Sequence, residues 1–248
     1  MTKLFDLQLV FSSIPELLKY LPTTLFLTVI AAIIGLLLGL VIAVIRMKNI
    51  PVLSQLAVAF VSVMRGTPII VQLYISYFGI PILLQYINYY RGTEYNINAI
   101  PGIVFAMVAL GLNQSAFDSE TIRAALQSVD KGQIEAAKSL GMSNGQVLRR
   151  IILPEAITVA LPSLGNSLIA LIKGTSLAFT CSVVEITAAG KILAGRNYRF
   201  FESYCSLAII YWVLTFALEK VVAAIEKRLQ VPEQPRQVKE RDAILSKM

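Results

Sequence analysis

The chain alternates long apolar runs with short polar, basic segments. Residues 22–45 form the clearest run, opening at Pro22-Thr23-Thr24 and closing at Arg46 and Lys48. A helix needs about 20 mostly apolar residues to cross a bilayer, so this run predicts a first span. Residues 51–64 are apolar but too short, and Pro68 breaks or kinks a helix there. They predict an interfacial helix or a lead-in to a second span at 67–89. Tyr86, Tyr89 and Tyr90 at its far end suit an aromatic interfacial belt. Residues 91–99 read as a polar loop. A third span starts at Ile100-Pro101, with proline tolerated in the first turn, runs to 118 and continues as a more polar helix to 128. A fourth span is expected at 155–178, a short re-entrant or surface helix at 181–194 and a fifth span at 203–226. The domain reading is one transmembrane domain, 1–229, followed by a charged cytoplasmic tail, 230–248. The stretch before residue 22 is polar and amphipathic and reads as uncleaved, because no small-residue cleavage pattern follows the first long apolar run.

Composition sharpens this picture. Of 248 residues, 56% are hydrophobic and only 15% charged, against about 25% charged in an average soluble domain. Lipid therefore covers much of the predicted surface. There is no histidine, which removes the commonest general base and zinc ligand. Cys181 and Cys205 are too few for a disulfide scaffold or a metal site. They read as small apolar fillers, with a single link on the outer side as the alternative.

The net charge of +7 could suggest nucleic acid, but its placement follows a membrane pattern. Residues 46–66, 119–154 and 220–248 hold fifteen Lys/Arg; residues 1–22, 90–99 and 179–202 hold six; Lys173 alone lies in a span. Basic loops stay in the cytoplasm. The expected topology is a multi-pass protein with its N-terminus outside and its C-terminus in the cytoplasm, without a nucleic-acid partner.

The polar segment 130–154 interrupts this pattern on the cytoplasmic side. Gly141 permits a left-handed turn, and Ser143 or Asn144 can cap a second short helix. The reading is helix, turn, helix, ending at Pro154 where the fourth span starts. The segment carries Glu135-Ala136-Ala137, three residues, Gly141, nine residues, then Ile151, Leu153 and Pro154. This spacing resembles the cytoplasmic coupling loop of bacterial ABC importer permeases. The chain is also similar to polar amino acid permeases of the histidine/glutamine/arginine type. That likeness rests on Arg65-Gly66-Thr67-Pro68-Ile69, Ser115-Ala116-Phe117, Ser119-Glu120-Thr121-Ile122-Arg123, Asp130-Lys131-Gly132-Gln133, Lys173-Gly174-Thr175-Ser176-Leu177, Val183-Val184-Glu185 and Tyr198-Arg199-Phe200-Phe201-Glu202.

The resemblance implies an all-α integral membrane protein of the type I ABC importer permease fold, with five transmembrane helices and a cytoplasmic coupling-helix loop. It implies a bacterial cell membrane location, a dimer of ATPase subunits below, an extracellular substrate-binding protein above and a second permease copy. That copy is expected to be identical, with a sister permease as the alternative. Glu135, Ala136, Ala137, Gly141, Leu153 and Pro154 would couple to the ATPase. The chain lacks a phosphate-binding loop of the form G-x-x-x-x-G-K-[ST], so it is expected to bind no cofactor, and ATP and Mg would sit on the partner subunit.

Polar groups at membrane depth are costly, about 2.5–3.5 kcal/mol for a charged one, and usually face an interior cavity. Candidates for a substrate path are Gln72 on the second span, then Asn113, Gln114, Ser115, Phe117 and Asp118 on the third. Asn166, Ser167, Lys173 and Ser176 on or just beyond the fourth complete the set. Asn166 and Lys173 are seven residues apart and share a helical face, and Lys173 is a possible partner for Asp118. The other reading is that these groups only bond helix to helix. Family members that move cationic amino acids tend to carry acidic residues around the positions of Ser167 and Gly174; both are neutral here. The string Asn113 to Arg123 resembles L-cystine permeases most, so cystine is the first expected substrate and glutamine the next. Glu185, Arg196, Arg199 and Glu202 on the outer side are either docking contacts or a solvated loop.

Two other functions compete. A membrane enzyme would need a histidine, a paired intramembrane carboxylate motif or a nucleophile elbow, and the sequence offers none. An ion-coupled carrier would show internal repeats of equal span number, which five spans and a two-helix cytoplasmic loop do not fit.

Overall fold

The computed structural model describes residues 4–229; the tail expected at 230–248 lies outside the described residues. All regular elements in this range are helical. They are α1 Leu7–Leu18, α2 Leu21–Met47, α3 Leu53–Gly66, α4 Ile69–Tyr74 and α5 Ile80–Arg91. There follow α6 Gly102–Gln127, α7 Lys131–Ser139, α8 Asn144–Val147, α9 Leu153–Gly174, α10 Ile186–Asn197 and α11 Phe200–Leu229.

Four stretches are long and apolar enough to cross a membrane: Leu21–Met47, Ile69–Arg91, Asn144–Cys181 and Phe200–Leu229. The expected third span, α6, has 26 residues, about 39 Å at 1.5 Å per residue, but Asn113, Gln114, Ser115 and Asp118 lower its apolarity. Its place in the fold explains this. It is buried along most of its length, from Phe105 to Ala125, so its surroundings are other helices rather than lipid.

The principal packing contact is α2 on α6. Ala31, Gly35, Gly39 and Ala43, each four residues after the last, are all buried on one stripe of α2. Small residues at this spacing let two membrane helices approach closely. A Cβ on Gly39 would come within 3.1 Å of the Ser115 carbonyl oxygen and the Ser119 nitrogen of α6. A second cluster joins Leu17 of α1 to Ile186, Ala189, Leu207 and Ile210 of α10 and α11. There Ser206 donates to the Val10 carbonyl at 2.7 Å, and the Asp6 amide donates to Glu202 at 3.1 Å. The opposite surfaces stay apolar and exposed, as on Ile33, Leu37, Val41, Trp212 and Phe216. Tyr86, Tyr89 and Tyr90 are also exposed.

Several boundaries differ from the sequence reading for local reasons. The second span starts at Ile69 because Thr67 is extended ahead of Pro68, and it runs through a π-turn at Ile75–Gly79 to Arg91. The expected break at Pro154 is absent. Helix α8 continues through a π-turn, Leu148–Ile152, into α9 and a 3-10 turn, as one rod from Asn144 to Cys181. Proline lacks an N–H and its ring clashes with the carbonyl four residues earlier. That residue, Arg150, sits in the π-turn, where the widened ladder relieves the clash. The short outer helix falls at Ile186–Asn197 rather than 181–194. Ser182 ends the preceding turn in a left-handed conformation (φ 60°), and the Glu185 side chain caps the new helix at the Ala188 amide, 2.8 Å away.

Candidate functional site

The arm expected on the cytoplasmic side builds up from three local signals. Asp130 opens α7, its side chain accepting from the Gly132 amide at 2.7 Å. Gly141 has φ +80°, a region that costs a residue with a Cβ. Ser143 and Gln146 cap each other's backbone in a reciprocal capping box that opens α8. Ala137 and Val147 point inward, at 4% and 2% exposure. Glu135, Ala136, Gly141, Leu153 and Pro154 lie on the exposed side. So does Leu140, 85% exposed at the tip of the turn. The arm packs back through Ile134, Ile151 and Ile152 against Ala125, Val129, Ala156 and Ala160. It is thus fixed to α6 and runs without a break into α9.

The candidate path residues separate into two hydrogen-bonded groups. In the first, the Gln72 amide donates to the Met64 carbonyl (2.9 Å), the Thr67 carbonyl (3.1 Å) and the Thr67 hydroxyl (2.8 Å). Asn113 donates to the Met64 carbonyl (3.1 Å) and to Gln72 (3.0 Å). These bonds take up the backbone groups freed where the chain breaks at Thr67-Pro68 and tie that break to α6. In the second group, Gln114 donates to Ser167 (2.7 Å) and to Asp118 (2.9 Å), and the Ser167 hydroxyl lies 3.3 Å from the same Asp118 oxygen. This joins α6 to α9. Asp118 is 3% exposed, pressed against Gly35 and Gly39 of α2.

Between α3, α6 and α9 lies an open groove of about 530 Å³. Asn113, Gln114, Phe117, Asn166 and Ser167, from two of the sequence-read clusters, line it. Five candidates, Gln72, Ser115, Asp118, Lys173 and Ser176, do not line it. Gln72 and Asp118 stand behind the lining, Ser115 is fully buried and bonds the Leu112 carbonyl, and Ser176 lies in the 3-10 turn beyond α9. Lys173 does not pair with Asp118. It is exposed, and Asp118 is engaged by Gln114 and Ser167. The helix geometry gives the reason: Ser167 and Lys173 are six residues apart, about 600° of turn at 100° per residue, hence on different faces of α9.

The groove has two charged lining residues, Arg65 and Glu120. The sequence reading quoted both only as family markers. Glu120 binds Arg46 of α2 and, at 2.7 Å, Arg123 of α6. Burial pushes its carboxyl up, but the two arginines outweigh burial and hold it below its usual range. Arg65, at the end of α3, has its guanidinium 5.5 Å from the Phe117 ring centre and no carboxylate partner among the described residues. One sequence signal pointed there: Arg65 directly precedes a Gly-Thr-Pro break in an apolar stretch, and binding sites of membrane transporters gather at such discontinuous helices. In chemical terms the groove offers amides, hydroxyls, a ring and a cation. It has no nucleophile–base pair, and among the described residues there is no cluster suited to a metal ion.

Comparison with known proteins places this arrangement. Residues 35–231 match the family model for the inner membrane component of binding-protein-dependent transport systems. The chain is 40% identical over 227 residues to the probable amino-acid permease protein YxeN of Bacillus subtilis, covering 92% of this chain and 97% of that one. It is 38% identical over 230 residues to the L-cystine transport system permease protein TcyL of the same organism, covering 93% and 94%. Its fold overlays that in the crystal structure of an amino acid ABC transporter with histidines, with a TM-score of 0.77, 36% identity and coverage of 92% and 100%. The chain belongs to the family of inner membrane components of binding-protein-dependent transport systems: it is a permease subunit of the type I importer fold, a transporter part and not an enzyme.

Proposed function

We propose that this chain is the membrane subunit of an ATP-driven importer that moves a polar amino acid, L-cystine first and glutamine next, across a bacterial cytoplasmic membrane by alternating access. The observation that carries this reading is the unbroken rod from Asn144 to Cys181. One end is the exposed arm with Glu135, Gly141 and Leu140 beside it; farther along, Ser163, Asn166 and Ser167 form a wall of the groove. A push on the arm moves that wall as a rigid body. ATP and Mg belong to an ATPase dimer seated against residues 130–154, and an extracellular binding protein delivers the substrate. A second permease copy, identical or a sister chain, completes the pore, with the N-terminus outside and the C-terminus in the cytoplasm.

A polar side chain without net charge suits the groove. A cationic one needs a free carboxylate, yet Glu120 is held by two arginines and Asp118 is closed off by Gln114 and Ser167. The names of two relatives favour cystine, at 38% and 37% identity, over the glutamine permease of Escherichia coli at 32%. Proteoliposomes holding the permease, its ATPase and its binding protein test the proposal with a panel of labelled amino acids. ATP-dependent uptake of cystine alone is the expected result. Uptake of glutamine or arginine keeps the importer and corrects the substrate, and uptake without ATP rejects the mechanism.

A further inference from the structure

The geometry points to Arg65 as the residue that receives the α-carboxylate of the transported amino acid, with Phe117 holding the guanidinium in place. This inference rests on the groove being the path of an amino acid. It starts from charge. Of the two charged residues lining the groove, Glu120 is neutralised by Arg46 and Arg123, while Arg65 meets no carboxylate among the described residues. The groove therefore presents one available charge, and it is positive.

Position comes next. Arg65 lies where α3 ends, next to the extended Thr67-Pro68 link, and that end is fixed: Gln72 and Asn113 both donate to the Met64 carbonyl beside it. The ring of Phe117 stands 5.5 Å from the guanidinium carbon, a distance suited to a cation over an aromatic face. A guanidinium is a planar fork of donors that matches the two oxygens of a carboxylate, and it keeps its charge at any working pH. Contact with the Phe117 ring at that distance uses none of the fork's N–H donors, which are available to a ligand.

The rest of the lining fits the remainder of such a ligand. Asn113, Gln114, Asn166 and Ser167 offer amide and hydroxyl oxygens to an ammonium group, and Ser163, Ala170 and Gly174 leave uncharged room for a side chain. Arg65 also lines a second pocket with Arg46, Ser62, Phe117 and Glu120. The pair thus stands between two adjoining spaces, where it meets a passing carboxylate once. Selectivity follows: an α-amino acid binds, and the same molecule with its carboxylate converted to a carboxamide does not.

Calorimetry on the permease–ATPase complex in detergent tests this without the binding protein, whose own selectivity would mask the effect. The probes are L-glutamine against its α-carboxamide and L-cystine against its diamide, in which both α-carboxylates are converted. The wild-type complex is expected to bind the acid at least about tenfold tighter, the order of one well-made charged contact. Arg65→Gln should abolish that preference, and Arg65→Lys, with its charge but not its fork, should retain part of it. Thermal midpoints report whether each variant folds; if the glutamine variant does not, the lysine variant carries the test through its reduced preference. A wild-type complex that binds acid and carboxamide alike overturns the inference and leaves the importer standing. So does an Arg65→Gln complex that still prefers the acid. A wild-type complex that binds neither amino acid overturns the amino acid reading and this inference with it.

Discussion

Glu120 is gripped from two directions, by Arg46 from α2 and by Arg123 one turn along its own helix. Because its carboxyl is held below its usual range, the interaction stabilises the fold above the unfolded-state value of about 4.3 and is lost as pH falls through the lower folded-state value. Glu120→Gln should therefore lower the thermal midpoint at pH 7, by a stability loss on the order of 1 kcal/mol. The gap between variant and wild type should close in acid. Melting curves from pH 7 to pH 3 check this, and a gap that widens in acid would contradict it. Residue-scale features with local causes were legible in the sequence. Gly141 and Ser143 needed only turn and cap chemistry. Arg65 over Phe117 was not legible, since the two residues are 52 positions apart in the chain and only the fold brings them together. The pairing of Lys173 with Asp118 that the sequence left open does not form, for the same reason: opposite charges near in depth say nothing about which helix face each occupies.

At the scale of elements, the seam between α2 and α6 sets how far the rest can close. Gly39 lies against the α6 backbone, so no rotamer change can make room for a larger side chain. Gly39→Leu should cost about 1–3 kcal/mol as an overpacked contact, visible as a lower thermal midpoint and reduced yield of folded protein in detergent. An unchanged midpoint would mean that the helices part freely there. Apolar runs revealed α2 and α11 directly. Helix α6 was legible as a long helix but not as the buried centre: its polar residues signal an interior setting without saying which helices surround it. The continuous rod at Asn144–Cys181 was hidden by Pro154, which a sequence reading takes as a stop and which the π-turn at Leu148–Ile152 absorbs.

The whole molecule links an exposed arm, one continuous helical run and a polar groove. The family match and the fold overlay agree with the helical membrane architecture read from the apolar runs. They leave the use of the arm as the central claim. The most direct measurement is ATP hydrolysis and amino acid uptake side by side in proteoliposomes of the complete transporter, wild type against Gly141→Val. Valine at φ +80° is strained, which should distort the turn while leaving the groove intact. The account predicts continued ATP hydrolysis with uptake reduced by about tenfold or more, the loss expected if about 1.4 kcal/mol or more of coupling is removed. Uptake at the wild-type rate per ATP hydrolysed, in a variant shown to be assembled, would contradict it.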